Sequence, residues 1–290
     1  MVEVRLAERG AEPLPVLEFL VKEREAWLGR TARGLLIGGV DRAWFSIEGS
    51  PAVVRAGGLP DHVEPNDKTR ALLLVALIAA LRTTGVYELH AGVVCGEDSA
   101  LVLLGESGAG KSTTTAALVS SGYDYLGDDE VLLREVEQST ELLAYWPKFR
   151  LTEQVLPSFV ALKPHLSPLI ANPKWELDAA SAFPGRGLSH WRGPCTLLFL
   201  SRSAEQSSRL LPIGLSEATG LLIAQSTALG LACHPNPREH LDLLAHFARR
   251  ARRARLELGR EWLLDPIGAA HRLTESLRAT RTRSIQPEAS

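Results

Sequence analysis

The sequence predicts an α/β fold, a mixed sheet flanked by helices with a small α+β region ahead of it. Three observations predict it. Strand-like and helix-like apolar segments follow one another from about residue 66 onward. A glycine-rich phosphate-binding motif stands where a strand gives way to a helix. The composition, 45% hydrophobic and 23% charged over 290 residues, is that of a globular chain with ample apolar material for a core.

Charge and cysteine content narrow the partners. A net charge of −2 sets up no positive field, so neither nucleic acid nor an acidic membrane is an expected partner. Cys95, Cys195 and Cys233 lie far apart and match neither a zinc site nor a disulfide framework, which points to a reducing, cytoplasmic setting. The first residues, Met1-Val-Glu-Val-Arg5, lack the features of a signal peptide. The longest apolar run, 71–81, is too short to cross a bilayer and reads as a buried helix. Only six lysines occur, so a lysine at a chemically demanding position is less easily an accident. A homo-oligomer is left open.

Residues 1–65 read as a small α+β region, with a helix over 14–28 and short strands at 34–37, 43–47 and 52–54. Asn66 or Asp67 caps a helix that runs to Arg82 and stops at Gly85. A main domain then extends over 66–277, and 278–290 reads as a flexible tail. Within the main domain, 86–94 and 100–104 read as a strand pair. A helix over 111–121 ends at Gly122, and 123–133 has further strand character. The run 196–200 suits a buried strand, and helices are expected from a Ser216 cap over 217–229 and from Arg238 to about 254.

The motif Gly105-Glu106-Ser107-Gly108-Ala109-Gly110-Lys111-Ser112 fits G-x-x-x-x-G-K-[ST] at every fixed position. Glycines let consecutive N–H groups converge on phosphate oxygens, and the following helix adds its positive end. Lys111 reaches the β/γ oxygens, the Ser112 hydroxyl can ligate Mg²⁺, and Thr113 completes the cradle. By chance, a chain of this length matches about once in a hundred times.

Seventeen positions after Lys111 comes the pair Asp128-Asp129. A strand returning from the loop helix beside strand 100–104 would end next to the phosphates. Carboxylates there can hold Mg²⁺ or take a proton from an attacking hydroxyl. The alternative is an ordinary acidic turn. If Val94 pairs near Ala100, His90 falls opposite Leu104 at the mouth of the loop, where an imidazole could contact phosphate or tune the carboxylates. A hydrogen-bonded strand histidine is the plainer reading.

Three segments together, Glu88-Leu-His-Ala-Gly92, Leu103–Ser112 and Ser121-Gly-Tyr-Asp-Tyr-Leu-Gly-Asp-Asp-Glu-Val131, resemble the HPr kinase/phosphorylase family and its relatives. The catalytic core of that family is similar to that of ATP-dependent phosphoenolpyruvate carboxykinase. The resemblance implies a P-loop kinase core that binds ATP on Lys111 and the loop, with Mg²⁺ on Ser112 and Asp129. It implies Asp128 as the acid/base residue, with Asp129 and His90 assisting. The family's Glu-Ile-Arg-Gly segment is replaced by Pro147-Lys-Phe-Arg-Leu151, with Lys148 in place of the glutamate and Arg150 at the arginine. That departure argues against a second metal site, a reverse phosphorylase reaction and HPr itself as acceptor.

The expected activity is therefore transfer of a γ-phosphoryl group from Mg-ATP to a serine-type hydroxyl of a protein or peptide. A small-molecule kinase with the same site and a non-catalytic, nucleotide-dependent regulatory protein stand as alternatives. A carboxykinase-like reaction is disfavoured, because no additional metal-ligand set is found.

The glycine-rich stretch 185–192 could close over the acceptor or γ-phosphate, which makes Arg186 a further candidate beside Arg150; a plain surface loop is the other reading. The arginines from Arg249 to Arg255 read as one solvated helix face.

Overall fold

Strand pairing in one six-stranded sheet, and not a helix over 14–28, organises the N-terminal region. The computed structural model describes residues 3–6, 12–13, 15–22, 26–39, 43–49, 52–58, 68–145, 148–169, 173–226 and 236–283. They form two units, one of 1–87 with 227–242 and one of 88–226 with 243–290.

In the first unit, β1 (Glu3–Leu6), β2 (Glu18–Lys22), β3 (Ala26–Arg30), β4 (Gly34–Gly39), β5 (Trp44–Glu48) and β6 (Val53–Gly57) form one sheet. Its order is β1-β6-β5-β4-β3-β2, antiparallel apart from β1 beside β6. Helix α1 (Lys68–Arg82) buries Ala76, Ala79 and Ala80 in a core shared with Ile37, Phe45 and Val54. The expected helix over 14–28 is corrected to β2 and β3. Its apolar residues satisfy a strand equally well, and backbone pairing of β2 with β3 and of β3 with β4 decides between the two. The Asn66 or Asp67 cap lies outside the described residues.

Chain order continues with β7 (Val86–Leu89), β8 (Gly92–Cys95), β9 (Ala100–Leu104), α2 (Lys111–Ser120), β10 (Asp124–Gly127), β11 (Val131–Val136), β12 (Ser139–Ala144) and β13 (Lys148–Thr152). After a 3-10 segment (Glu153–His165) come β14 (Leu166–Pro168), β15 (Lys174–Asp178), α3 (Ala179–Ala182), β16 (His190–Trp191), β17 (Cys195–Arg202) and β18 (Arg209–Pro212). The last elements are α4 (Leu215–Gln225), α5 (Pro237–Arg250), β19 (Arg252–Leu258), α6 (Glu261–Leu264) and α7 (Pro266–Arg283).

The principal sheet of the second unit is mixed, in the order β10-β8-β9-β17-β19-β18. Strands β8 and β9 are buried along their whole length, as expected for central strands covered on both faces. Helices α2 and α7 share one core with them through Ala116, Leu118, Leu103, Ala270 and Leu273. Strands β9, β17 and β19 are parallel, with Leu104 beside Phe199 and Arg202 beside Leu258, so their carboxyl ends meet on one edge. A smaller sheet, β13-β15-β14, lies beside α2 and carries Arg150.

Several expectations shift. The segment 86–94 is two strands, broken at His90 and Ala91. Cys95, not Val94, faces Ala100, a register of one residue from that expected. Strand β10 pairs with β8 and not with β9, because the β8–β9 hairpin takes the place beside β9. Helix α4 starts from Gly214 instead of Ser216. The helix from Arg238 stops at Arg250, and 252–258 is a strand inserted between β17 and β18. The arginine run is therefore not one helix face. Helix α7 continues to Arg283, through the first part of the expected tail. No described helix is long and apolar enough to cross a membrane.

Candidate functional site

The phosphate loop follows β9 directly, and its backbone explains its glycines. Gly108 (φ 83°) and Gly110 (φ 106°) lie in the left-handed region, which side chains resist. Gly110 also caps α2, where there is no side-chain cap and no acidic residue in the first turn. The positive end of α2 thus has no compensating acidic side chain in its own first turn. Glu106, Ser107 and Gly108 are exposed; Gly105, Ala109, Gly110, Ser112 and Thr113 are half-buried, and Lys111 is buried. The Lys111 ammonium donates to the Gly105 carbonyl at 2.6 Å and lies farther, 3.4 Å, from that of Glu106. Burial pushes its pKa down, and nearby Asp129 and Asp128 oppose that shift.

The acidic pair follows β10 at the same edge of the sheet. Asp128 is fully buried, and burial raises its pKa to about 6. The Ser112 hydroxyl, the Thr115 hydroxyl and the Arg150 amide favour the charged form. The Arg150 amide donates to Asp128 Oδ2 at 3.3 Å. The single proton of Thr115 is committed to the Lys111 carbonyl at 2.9 Å, and Asp128 Oδ1 has no hydrogen-bond partner among the described residues. An enclosed carboxylate oxygen without a donor is costly, and it marks a place poised for a proton or a cation.

Asp129 is one-third exposed, between His90 Nδ1 at 3.4 Å and Arg150 Nη1 at 3.2 Å. The His90 amide donates to the Gln225 carbonyl at 2.9 Å, which fixes the backbone at the break after β7. Burial lowers the His90 pKa, helped by Lys111 and opposed by Asp129. The imidazole is held toward its neutral form. Gly92 leaves room for the pair: a Cβ there would collide with the Thr115 hydroxyl and stand 3.6 Å from Asp128 Oδ1.

Of the sequence-derived candidates, the loop, Lys111, Ser112, Asp128, Asp129, His90 and Arg150 come together. Arg186 does not. Its guanidinium donates to the Gly122 carbonyl at 2.6 Å, at the far end of α2. Residues 186–188 hydrogen-bond alongside Tyr125 of β10, so the stretch 185–192 is tied to the sheet instead of arching over the loop.

Three residues went unread in the sequence. Arg202, at the carboxyl end of β17, donates from Nε to the Gly108 carbonyl at 2.7 Å. Lys174 lies close enough to lower the pKa values of Lys111 and His90. Strand alternation explains its place, since Arg150 faces Glu176 and Thr152 faces Lys174, which puts Arg150 and Lys174 on one side of the small sheet. Arg260 follows β19 and lines a cleft of about 180 Å³ with Gly110, Thr113, Arg202 and Trp262. The one available signal was Arg202 itself, a charge ending the apolar run 196–200.

Metal fit follows from the donors. Among the described residues, no group of three or more His, Cys, Asp or Glu could hold an ion alone. Ser112 and Asp129 carry hard oxygen donors of the kind that suit Mg²⁺.

No family model matches the sequence, and no curated protein matches it. The solved structure of the Hpr(Ser) kinase/phosphatase from Coxiella burnetii aligns with a TM-score of 0.28 at 16% identity, over 38% of this chain. The alignment spans 64% of that protein, less than two thirds of its length, and a superposition so loose carries no argument about fold or function.

Proposed function

We propose that the chain is an ATP-dependent kinase with a P-loop core of the HPr kinase and phosphoenolpyruvate carboxykinase type, acting on a serine-type hydroxyl of a protein or peptide. One observation carries the reading: Lys111, at the start of α2, and the buried, donor-poor Asp128 meet at one edge of the sheet. A raised carboxylate pKa beside a phosphate loop is what proton acceptance near neutral pH requires.

The loop amides and the positive end of α2 hold the triphosphate, with Lys111 at the β/γ oxygens. Arg202 steadies the loop through Gly108, and the cleft beside Gly110 and Trp262 takes the nucleoside. As the acceptor oxygen bonds to the γ-phosphorus, its proton passes to Asp128, and the bond to the β–γ bridging oxygen breaks to release ADP. Ser112 and Asp129 would hold Mg²⁺, which supplies charge neutralisation on the moving phosphoryl group. His90 and Arg150 orient Asp129. A cytoplasmic location belongs to the same reading, and the free, buried Cys95 and Cys195 suit it.

The complete burial of Asp128 favours a second division of labour. The partly exposed Asp129, beside His90, would take the proton, while Asp128, beside Ser112, would face the metal. Metal titration separates the two. The asparagine variant that lacks the metal-facing carboxylate needs more Mg²⁺ for half-maximal rate; the variant lacking the base loses rate at any Mg²⁺ concentration.

The founding experiment is transfer of radiolabelled γ-phosphate to proteins encoded beside the gene and to metabolite pools. Label on a serine or threonine supports the reading. Label on a free metabolite moves it to a small-molecule kinase, and release to water alone overturns it in favour of a regulatory nucleotide-binding protein.

A further inference from the structure

The parallel strands have a second edge, at their amino ends. A cleft of about 580 Å³ opens there, lined by β9, β17 and β19, the turn after α2, and one face of α7. It shares no residue with the phosphate-loop site.

Its walls have two characters. Tyr123, Leu101, Leu210 and Leu277 make an apolar side. Arg252, Arg278 and His271 make a basic side, against which stand Glu97 and Asp98 on the β8–β9 turn. Arg278 and Asp98 are already engaged in interactions of their own.

Arg252 shares the strand face of Ala254 and Leu256, which pack in the core with α7, whereas Arg253 faces the other side of the sheet, where its Nη1 donates to the Ala248 and Ala251 carbonyls at 2.6 and 3.0 Å. Arg252 is exposed and makes no ion pair among the described residues. The strand break after Arg250 causes this arrangement: a helix continued through 254 would have carried Arg252 around its surface, whereas β19 brings it to the cleft. Arg255, farther along, pairs with Glu217.

The geometry points to this cleft as a binding site for an amphipathic organic anion, a carboxylate, sulfonate or phosphate on an apolar body of one or two rings or a short alkyl chain. The anionic group meets Arg252 and His271, and the body lies against Leu101, Leu210 and Leu277. A concave apolar wall with a few convergent polar groups is the usual make-up of a small-molecule pocket.

The test titrates 8-anilinonaphthalene-1-sulfonate, which carries both features, into the full chain and follows its fluorescence. Saturable binding is expected, weakened about tenfold or more by Arg252→Glu and by Leu210→Asp, held within about threefold by Arg252→Lys, and unchanged by Lys111→Ala. Equal affinity in Arg252→Glu, Leu210→Asp and the unaltered chain overturns the proposal, as does loss of binding in Lys111→Ala. A measurement on the unaltered chain needs no variant. The probe should slow 2,3-butanedione modification of Arg252, and an unchanged modification rate there overturns the proposal.

Discussion

Arg202 donates its Nε to the carbonyl of Gly108 at 2.7 Å, so a side chain 94 positions away in sequence holds the tip of the phosphate loop. The contact ties β17 to the loop that follows its neighbour β9. Arg202→Ala should leave the fold intact, since the side chain is exposed, and weaken binding of a non-hydrolysable ATP analogue about fivefold, or roughly 1 kcal/mol. Isothermal titration calorimetry measures this; an unchanged affinity would show that the loop keeps its shape unaided.

Lys111 and Asp128 should separate binding from chemistry. Lys111→Ala is expected to abolish both nucleotide binding and transfer. Asp128→Asn should retain nucleotide within about threefold while transfer falls by about a hundredfold or more, the usual scale for loss of a general base. Calorimetry beside a γ-phosphate transfer assay checks both arms. Under a purely regulatory role, Asp128→Asn would keep its biological activity.

Asp128 also predicts a pH dependence of stability. Its folded-state pKa, about 6, lies above the ordinary carboxylate value of 3.8. Between those values the folded state binds more protons than the unfolded state, so this group's contribution to stability falls as pH rises from about 4 to about 6. Above that window the penalty is fully present. Asp128→Asn removes it, so urea unfolding at pH 8 should show a gain of about 1–3 kcal/mol that vanishes below pH 4. In the free protein, the acid limb of kcat/KM should sit near 6. A variant less stable at pH 8 than the unaltered chain would contradict the shift.

Arg150 holds both members of the pair, through its amide to Asp128 and its guanidinium to Asp129. Arg150→Gln spares the first contact and removes the charge in the second. Transfer should fall about tenfold while stability stays within about 0.5 kcal/mol, because the ion pair is exposed. Steady-state kinetics with a parallel thermal melt checks this, and an equal loss in both would assign Arg150 a structural role.

Gly92 faces Thr115 and Asp128 so closely that Gly92→Ala must push one of them aside. A loss of about 1–3 kcal/mol in urea unfolding is expected, with reduced transfer. Unchanged stability would mean that α2 can give way.

Helix α2, expected over 111–121, spans Lys111–Ser120, and it was legible with the motif at Gly105–Ser112 and the acidic pair after Gly127 because each rests on a few consecutive residues. Where two periodicities competed, the reading failed. Residues 18–22 and 26–30 carry apolar spacing compatible with a helix, and pairing with each other, and of the second with β4, made them strands. Around the arginine run, Ala254, Leu256 and Leu258 alternate with charged residues. That period-two signal was legible and was overridden by the helical pattern before it.

By itself the sequence determined the loop at Gly105–Ser112, because its glycines, its lysine and the helix that follows are consecutive residues. Tertiary structure decided which distant groups attend it. Arg202 reaches Gly108 because β17 lies parallel to β9, and Arg150 reaches the aspartates because alternation in β13 turns Phe149 and Leu151 into the core. Burial likewise decided the raised pKa of Asp128, since the energy of a carboxylate depends on the water excluded around it and not on its neighbours in sequence.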